Sequence, residues 1–109
     1  MERTSHEYDV AIGRCREVFQ NKLRDYGAAW RVLRPSSVTD QIFIKASRIR
    51  SIDTKGASRI DEGIVPEFIG MVNYAIMALI QLEHGVAEDP EISEQQALEL
   101  FDGVSSRAK

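Results

Sequence analysis

From Phe68 to Leu82 the chain runs fifteen residues without a charge. Phe68, Ile69, Met71, Val72, Tyr74, Ala75, Ile76, Met77, Leu79, Ile80 and Leu82 leave almost no polar side on a helix there. Pro66 brings the fixed φ of a first helical residue, and Gly85 suits the position after the last turn, so a helix is expected over Pro66 to His84. A helix apolar nearly all round must be surrounded, by its own domain or by a second subunit. Gly70, Asn73 and Gln81 interrupt the run, which is shorter than the ~20 apolar residues of a bilayer span. The reading is a buried core helix and no membrane segment.

The rest of the chain repeats the helical period. Thr4 and Glu7 have capping-box spacing, Tyr8, Ile12, Cys15, Phe19, Leu23 and Tyr26 form one stripe, and Gly27 closes it. A first helix is expected from about Ser5 to Tyr26. Pro35 predicts a break, with Trp30 anchoring the connection before it. Ser37 and Asp40 repeat the cap spacing ahead of Ile42, Ala46, Ile49 and Ile52, giving a second helix over about Val38 to Lys55. Residues 57–65 read as a loop, either disordered or a lid. Ser93 and Gln96 cap a short fourth helix to about Phe101, and 105–109 read as a frayed tail. No alternation of period two occurs. The fold expected is all-α, a four-helix bundle-like single domain over residues 1–104 with the third helix buried.

A chain of 109 residues buries only about two-thirds of the surface its unfolded form exposes, so a homo-oligomer, most simply a dimer, is expected. The lone Cys15 can form neither an internal disulfide nor a cysteine zinc cluster, and charges crowd the first eleven residues, so a cytoplasmic protein is expected. Net charge is −3, but it is segregated. Residues 31–59 hold seven basic and two acidic groups, including Arg31, Arg34, Lys45 and Arg48; residues 60–104 hold ten acidic groups and no Lys or Arg. The acidic half opposes duplex nucleic acid as a partner. Lys45 and Arg48 share a helical face and could grip phosphate with Arg31 or Arg34, although a solvated face explains them too.

Familiar catalytic frames are missing. His6 and His84 sit at helix ends with no G-x-S-x-G, and neither a P-loop nor G-x-G-x-x-G occurs. What remains is Lys22, Asp25 and Tyr26 at a helix end, carboxylates at Asp40 and Glu67 that could serve Mg²⁺ or Mn²⁺ beside a phosphate, and Asn73 with Tyr74 inside the apolar helix. A buried Asn must satisfy its amide, across helices or on a ligand.

Lys22-x-x-Asp25-Tyr26-Gly27, Trp30, Asp40 with Lys45-x-x-Arg48, then Pro66-Glu67-Phe68 and Val72-Asn73-Tyr74-Ala75-Ile76 together resemble the nucleotide-modification-associated domain 1 family over about residues 5–84. The resemblance implies an all-α domain of bacteria and phages near nucleotide or modified-base metabolism. That family is distantly similar to MazG-type nucleotide pyrophosphohydrolases, whose E-x-x-E and E-x-x-D pairs hold Mg²⁺ on a triphosphate. The nearest positions here, Glu17-x-x-Gln20 and Glu67-x-x-Gly70, each keep one carboxylate.

Two readings follow. In one the chain binds or hydrolyses a nucleoside phosphate, with Lys22, Arg34, Lys45 and Arg48 on phosphates, Tyr26, Trp30, Asn73 and Tyr74 on base or sugar, and Asp25, Asp40 and Glu67 on a metal. In the other it is a helical assembly module without catalysis.

Overall fold

The computed structural model describes residues 2–55, 63–89 and 92–109. Four helices follow one another: α1 (Glu2–Tyr26), α2 (Pro35–Lys55), α3 (Val65–His84) and α4 (Glu94–Ala108), with a 3-10 turn over Ala29–Val32 between the first two. No strand occurs among the described residues.

The expected stripe of α1 is its buried side, with Cys15, Phe19 and Leu23 in the core. The helix begins three residues earlier than expected, at Glu2, so Thr4 lies inside it; Arg3 and Glu7 bridge this first turn as an i,i+4 ion pair at 3.2 Å. Gly27 ends α1 at φ 67°, its amide donating to the Leu23 carbonyl at 2.8 Å. Glycine suits this left-handed position because it has no Cβ to clash.

Pro35 opens α2 where a break followed by a start at Val38 was expected. The first helical residue needs no amide donor, so proline costs nothing there. The Arg34 carbonyl takes the amides of Ser37 (3.0 Å) and Val38 (3.2 Å), which places the Ser37–Asp40 pattern within the first two turns instead of at the cap. α4 is also longer than expected. Its Ser93–Gln96 capping box is complete, with both reciprocal hydrogen bonds at 3.0 and 2.9 Å. The helix then passes Gly103 and runs to Ala108. Val104 and Ser105 are buried there, and Tyr8 Oη donates to the Ser105 carbonyl at 2.6 Å.

α1 and α4 meet through Phe19 and Phe101, whose ring centroids are 4.8 Å apart, and Trp30 packs on Phe19 at 5.8 Å. Fully burying each such side chain contributes about 1.5–3 kcal/mol. Above this contact Arg16 clasps Asp102 with two hydrogen bonds, 2.7 and 3.0 Å. α2 lies along α3, and α3 also touches α1, α4 and the 3-10 turn.

By length and composition α3 is the one described helix able to cross a bilayer, since Val65–His84 counts 20 residues where the charge-free run alone has fifteen. Here it serves as the central helix of the fold. Asn73, Ile76, Met77, Ile80 and Gln81 face inward and are buried, whereas Phe68, Leu79 and Leu82 on the other side stay open. Gln81 is the structural hub: its amide nitrogen faces the carbonyls of Leu33 (2.6 Å), Arg31 (2.8 Å) and Trp30 (3.2 Å), while its oxygen accepts from Arg31 Nη1. The same nitrogen of Arg31 donates to the Gly85 carbonyl at 2.9 Å. Arg31, expected among the surface cations, is thus buried and committed to pinning the connection onto the end of α3.

Candidate functional site

α1 and α3 diverge enough to leave a cleft with two compartments. One, of about 350 Å³, is walled by Val18 and Phe19 of α1 and by Ile69, Asn73, Tyr74 and Met77 of α3, and is rimmed by Arg14, Lys22 and Lys45. The other, of about 260 Å³, is aromatic and apolar, with Leu23, Tyr26, Trp30 and Leu33 on its walls. Phe19, Lys22, Tyr74 and Met77 line both, so the compartments adjoin. The larger is already within the size range of small-molecule sites.

The helical period explains this composition. Arg14, Val18 and Lys22 follow at steps of four on α1 and so share one face. Across the cleft, Gly70, Asn73, Tyr74 and Met77 share the facing side of α3. Lys45 enters from α2 because Gly70 has no side chain: a Cβ there would lie 3.0 Å from Lys45 Cε. Its Nζ stands 3.1 Å from Glu67 Oε2, and Arg48 Nη1 stands 3.8 Å from the other carboxylate oxygen. The Lys45 approach is an ion pair without hydrogen-bond geometry, which leaves Glu67 Oε2 buried without a hydrogen-bond partner.

Asn73 is similarly half satisfied. Its amide nitrogen donates to the Cys15 carbonyl at 3.0 Å, while Oδ1 is buried without a hydrogen-bond partner. Trp30 Nε1 is likewise unpartnered in the wall of the aromatic compartment. Buried polar atoms of this kind are rare in folded proteins and mark places where a ligand or ordered water can be held. Lys22 Nζ lies 6.0 Å from the Tyr26 ring centroid, a cation–π contact at the junction of the compartments. Behind the cleft, burial pushes the Cys15 thiol up from its ordinary value, against the opposing pull of Arg14.

Seven of the residues singled out from sequence line the two compartments: Lys22, Tyr26, Trp30, Lys45, Glu67, Asn73 and Tyr74. Arg48 reaches the cleft only through Glu67. Arg34, Asp25 and Asp40 are exposed and lie outside both linings, as does Glu17. Glu67 is thus the only carboxylate among the described residues that lines the two compartments, and it already faces two cations. Among the described residues no three His, Cys, Asp or Glu side chains gather as metal ligands. Of the expected loop, residues 57–62 lie outside the described residues, and Gly63 and Ile64 wind directly into α3. Sequence reasoning missed Arg14, Val18, Phe19, Gly70 and Met77, although the four-residue steps from Arg14 to Lys22 could have revealed the first two.

A family model described as Nucleotide modification associated domain 1 matches residues 22–82, more than half of the chain. The chain belongs to the nucleotide modification associated domain 1 family. No curated protein and no solved structure matches it at a significant level. The segment matched by the nucleotide modification associated domain 1 model starts at Lys22 and carries Tyr26, Trp30, Lys45, Glu67, Gly70, Asn73, Tyr74 and Met77. Only Arg14, Val18 and Phe19 of the two linings precede it.

Proposed function

We propose that the cleft between α1 and α3 binds a nucleoside phosphate. The observation that carries this reading is the union of a cation-rimmed compartment with an aromatic one through shared Lys22 and Tyr74. Phosphate oxygens suit Lys22, Lys45 and Arg14, which line the larger compartment. A base suits the apolar walls formed by Leu23, Tyr26, Trp30 and Tyr74, where stacking on aromatic faces contributes about 1–3 kcal/mol per base. The free Oδ1 of Asn73 is an acceptor for an amino or hydroxyl group of the ligand. Membership of a family associated with nucleotide modification supports the same ligand class.

Glu67 sits at the centre of this reading. In the absence of phosphate it neutralises Lys45 and Arg48; an incoming phosphate competes for both cations. Mg²⁺ or Mn²⁺ would therefore arrive chiefly through the phosphates, with Glu67 the one lining carboxylate among the described residues. The test is a thermal-melt panel against ribo- and deoxyribonucleotides with and without either metal, repeated with Lys22→Ala and Lys45→Ala. A ligand at ~100 times its dissociation constant stabilises the fold by ~2.7 kcal/mol. At roughly 4–8 °C per kcal/mol the wild-type shift exceeds about 10 °C. Loss of that shift in both variants is expected. A flat panel, or a shift that survives both substitutions, refutes the assignment, and pyrophosphate release in the same samples tests whether binding leads to hydrolysis.

A further inference from the structure

The space between α1 and α3 does not end at Arg14. Beyond it lies a third hollow of about 230 Å³, walled by Ala11, Cys15, Phe68 and Val72. It shares Arg14, Val65 and Ile69 with the cation-rimmed compartment, which in turn shares Lys22 and Tyr74 with the aromatic one. Both helices give the same order. On α1 the linings advance from Ala11–Cys15 through Arg14–Lys22 to Phe19–Tyr26, and on α3 from Val65–Val72 through Val65–Met77 to Tyr74–Met77. The three hollows therefore stand in a row, with the cations in the middle. At 1.5 Å per residue the row follows α1 from Ala11 to Tyr26 for about 22 Å.

A cation stands at each boundary of the middle compartment, Lys22 on the aromatic side and Arg14 on the other. Arg14 is exposed and makes no ion pair or side-chain hydrogen bond among the described residues, which leaves its guanidinium open to a phosphate oxygen. The third hollow is different in kind. Apart from Arg14, its described walls carry no charge and no polar side chain but the buried Cys15 thiol. A terminal phosphate gains nothing from such walls, since an ionised oxygen against apolar surface loses water without gaining a hydrogen bond. An apolar group placed there sheds its water favourably.

On the reading of the cleft as a nucleoside-phosphate site, we propose that its ligand is a nucleoside phosphodiester. The base occupies the aromatic compartment, the phosphate lies among Lys22, Lys45 and Arg14, and a flat or apolar group esterified to that phosphate fills the third hollow. A second nucleoside and a simple aryl or alkyl alcohol both supply this chemistry.

Calorimetric titration of the full chain tests the proposal. The probes are the four common nucleoside 5′-monophosphates, their 4-nitrophenyl esters, and the matching dinucleotides, in which the 3′-hydroxyl of a second nucleoside replaces nitrophenol. One nitrophenyl ester is expected to bind wild type at least about tenfold more tightly than its monophosphate. That ratio should fall towards one in Phe68→Ala, which removes a wall, and in Ala11→Glu, which sets a carboxylate at the hollow. Phe68 is 51% exposed and Ala11 is exposed, so both substitutions are made at the surface. A gain shared by the dinucleotide assigns the second group to a nucleoside, and a gain confined to the nitrophenyl ester assigns it to a simpler alcohol. Esters that bind no more tightly than the monophosphates overturn the proposal and leave the nucleoside-phosphate reading standing. So does a gain that survives both substitutions. Failure of every probe on wild type removes the two readings together.

Discussion

Replacing Gln81 with leucine tests how the connection between α1 and α2 is held. Gln81 is 1% exposed, and leucine nearly matches its volume, so the substitution removes polarity with little change in packing. The carbonyls it serves do not all suffer equally. Trp30 O keeps the amide of Leu33 at 3.0 Å, and Arg31 O keeps that of Ala87 at 2.8 Å. The Leu33 carbonyl is left without the hydrogen bond from Gln81, costing about 1–3 kcal/mol. Arg31 loses a charge-assisted bond, about 1.5–3 kcal/mol, while retaining Gly85 O. The expected destabilisation is about 3–5 kcal/mol, a fall in melting temperature of more than about 12 °C by circular dichroism. The double variant Arg31→Met with Gln81→Leu removes the buried charge together with its partner and should recover much of that loss. A loss below about 1 kcal/mol for Gln81→Leu, or a double variant as costly as the two single changes together, would refute the account of Arg31 as a buried structural cation.

Three further perturbations probe other parts of the fold. Gly27→Ala forces a side chain into φ 67° with no atom near enough to clash, so only conformational cost remains, about 1–2 kcal/mol in thermal unfolding. Tyr8→Phe removes the hydrogen bond to Ser105 O and should cost about 1 kcal/mol, with faster amide exchange confined to the end of α4; unchanged exchange would mean the contact does not hold that end. Cys15 gives a pH dependence. Its thiol is raised in the folded state, so the unfolded chain releases that proton first, and stability falls as pH rises above about 8.5. Cys15→Ala should flatten this part of the curve in denaturant titrations, and an equal slope in both proteins would contradict the assigned burial.

The helices were legible because their signals are local. Gly27, Gly85, Pro66 and the Ser93–Gln96 box act within a turn of themselves, and each does what its residue type dictates. Misreadings arose where a long-range contact decided the outcome. The chain past Gly103 stays helical because Val104 and Ser105 are buried and Tyr8, nearly a hundred residues away, holds the Ser105 carbonyl. Arg31 looked like its neighbour Arg34 because charge counting ignores burial, and only the fold brings Gln81 to it. The cleft was half legible. Polar and aromatic residues at odds with their surroundings, such as Asn73 and Tyr74, stood out, whereas Phe19 and Met77 look like any core residue until the helices separate. Carboxylate candidates fared worst: Asp25 and Asp40 lie outside the cleft, so only Glu67 entered it.

The missing side chain at Gly70 makes position 70 a choice between two chemistries. One turn after Glu67, it is where a second carboxylate would stand to share a divalent ion, yet the space is filled by Lys45 carbon, 3.0 Å from where a Cβ would sit. An aspartate at 70 would need the flexible end of Lys45 to give a little, and would set a second carboxylate beside the cation that meets Glu67. Position 70 thus decides whether the Lys45 ammonium faces one carboxylate or two.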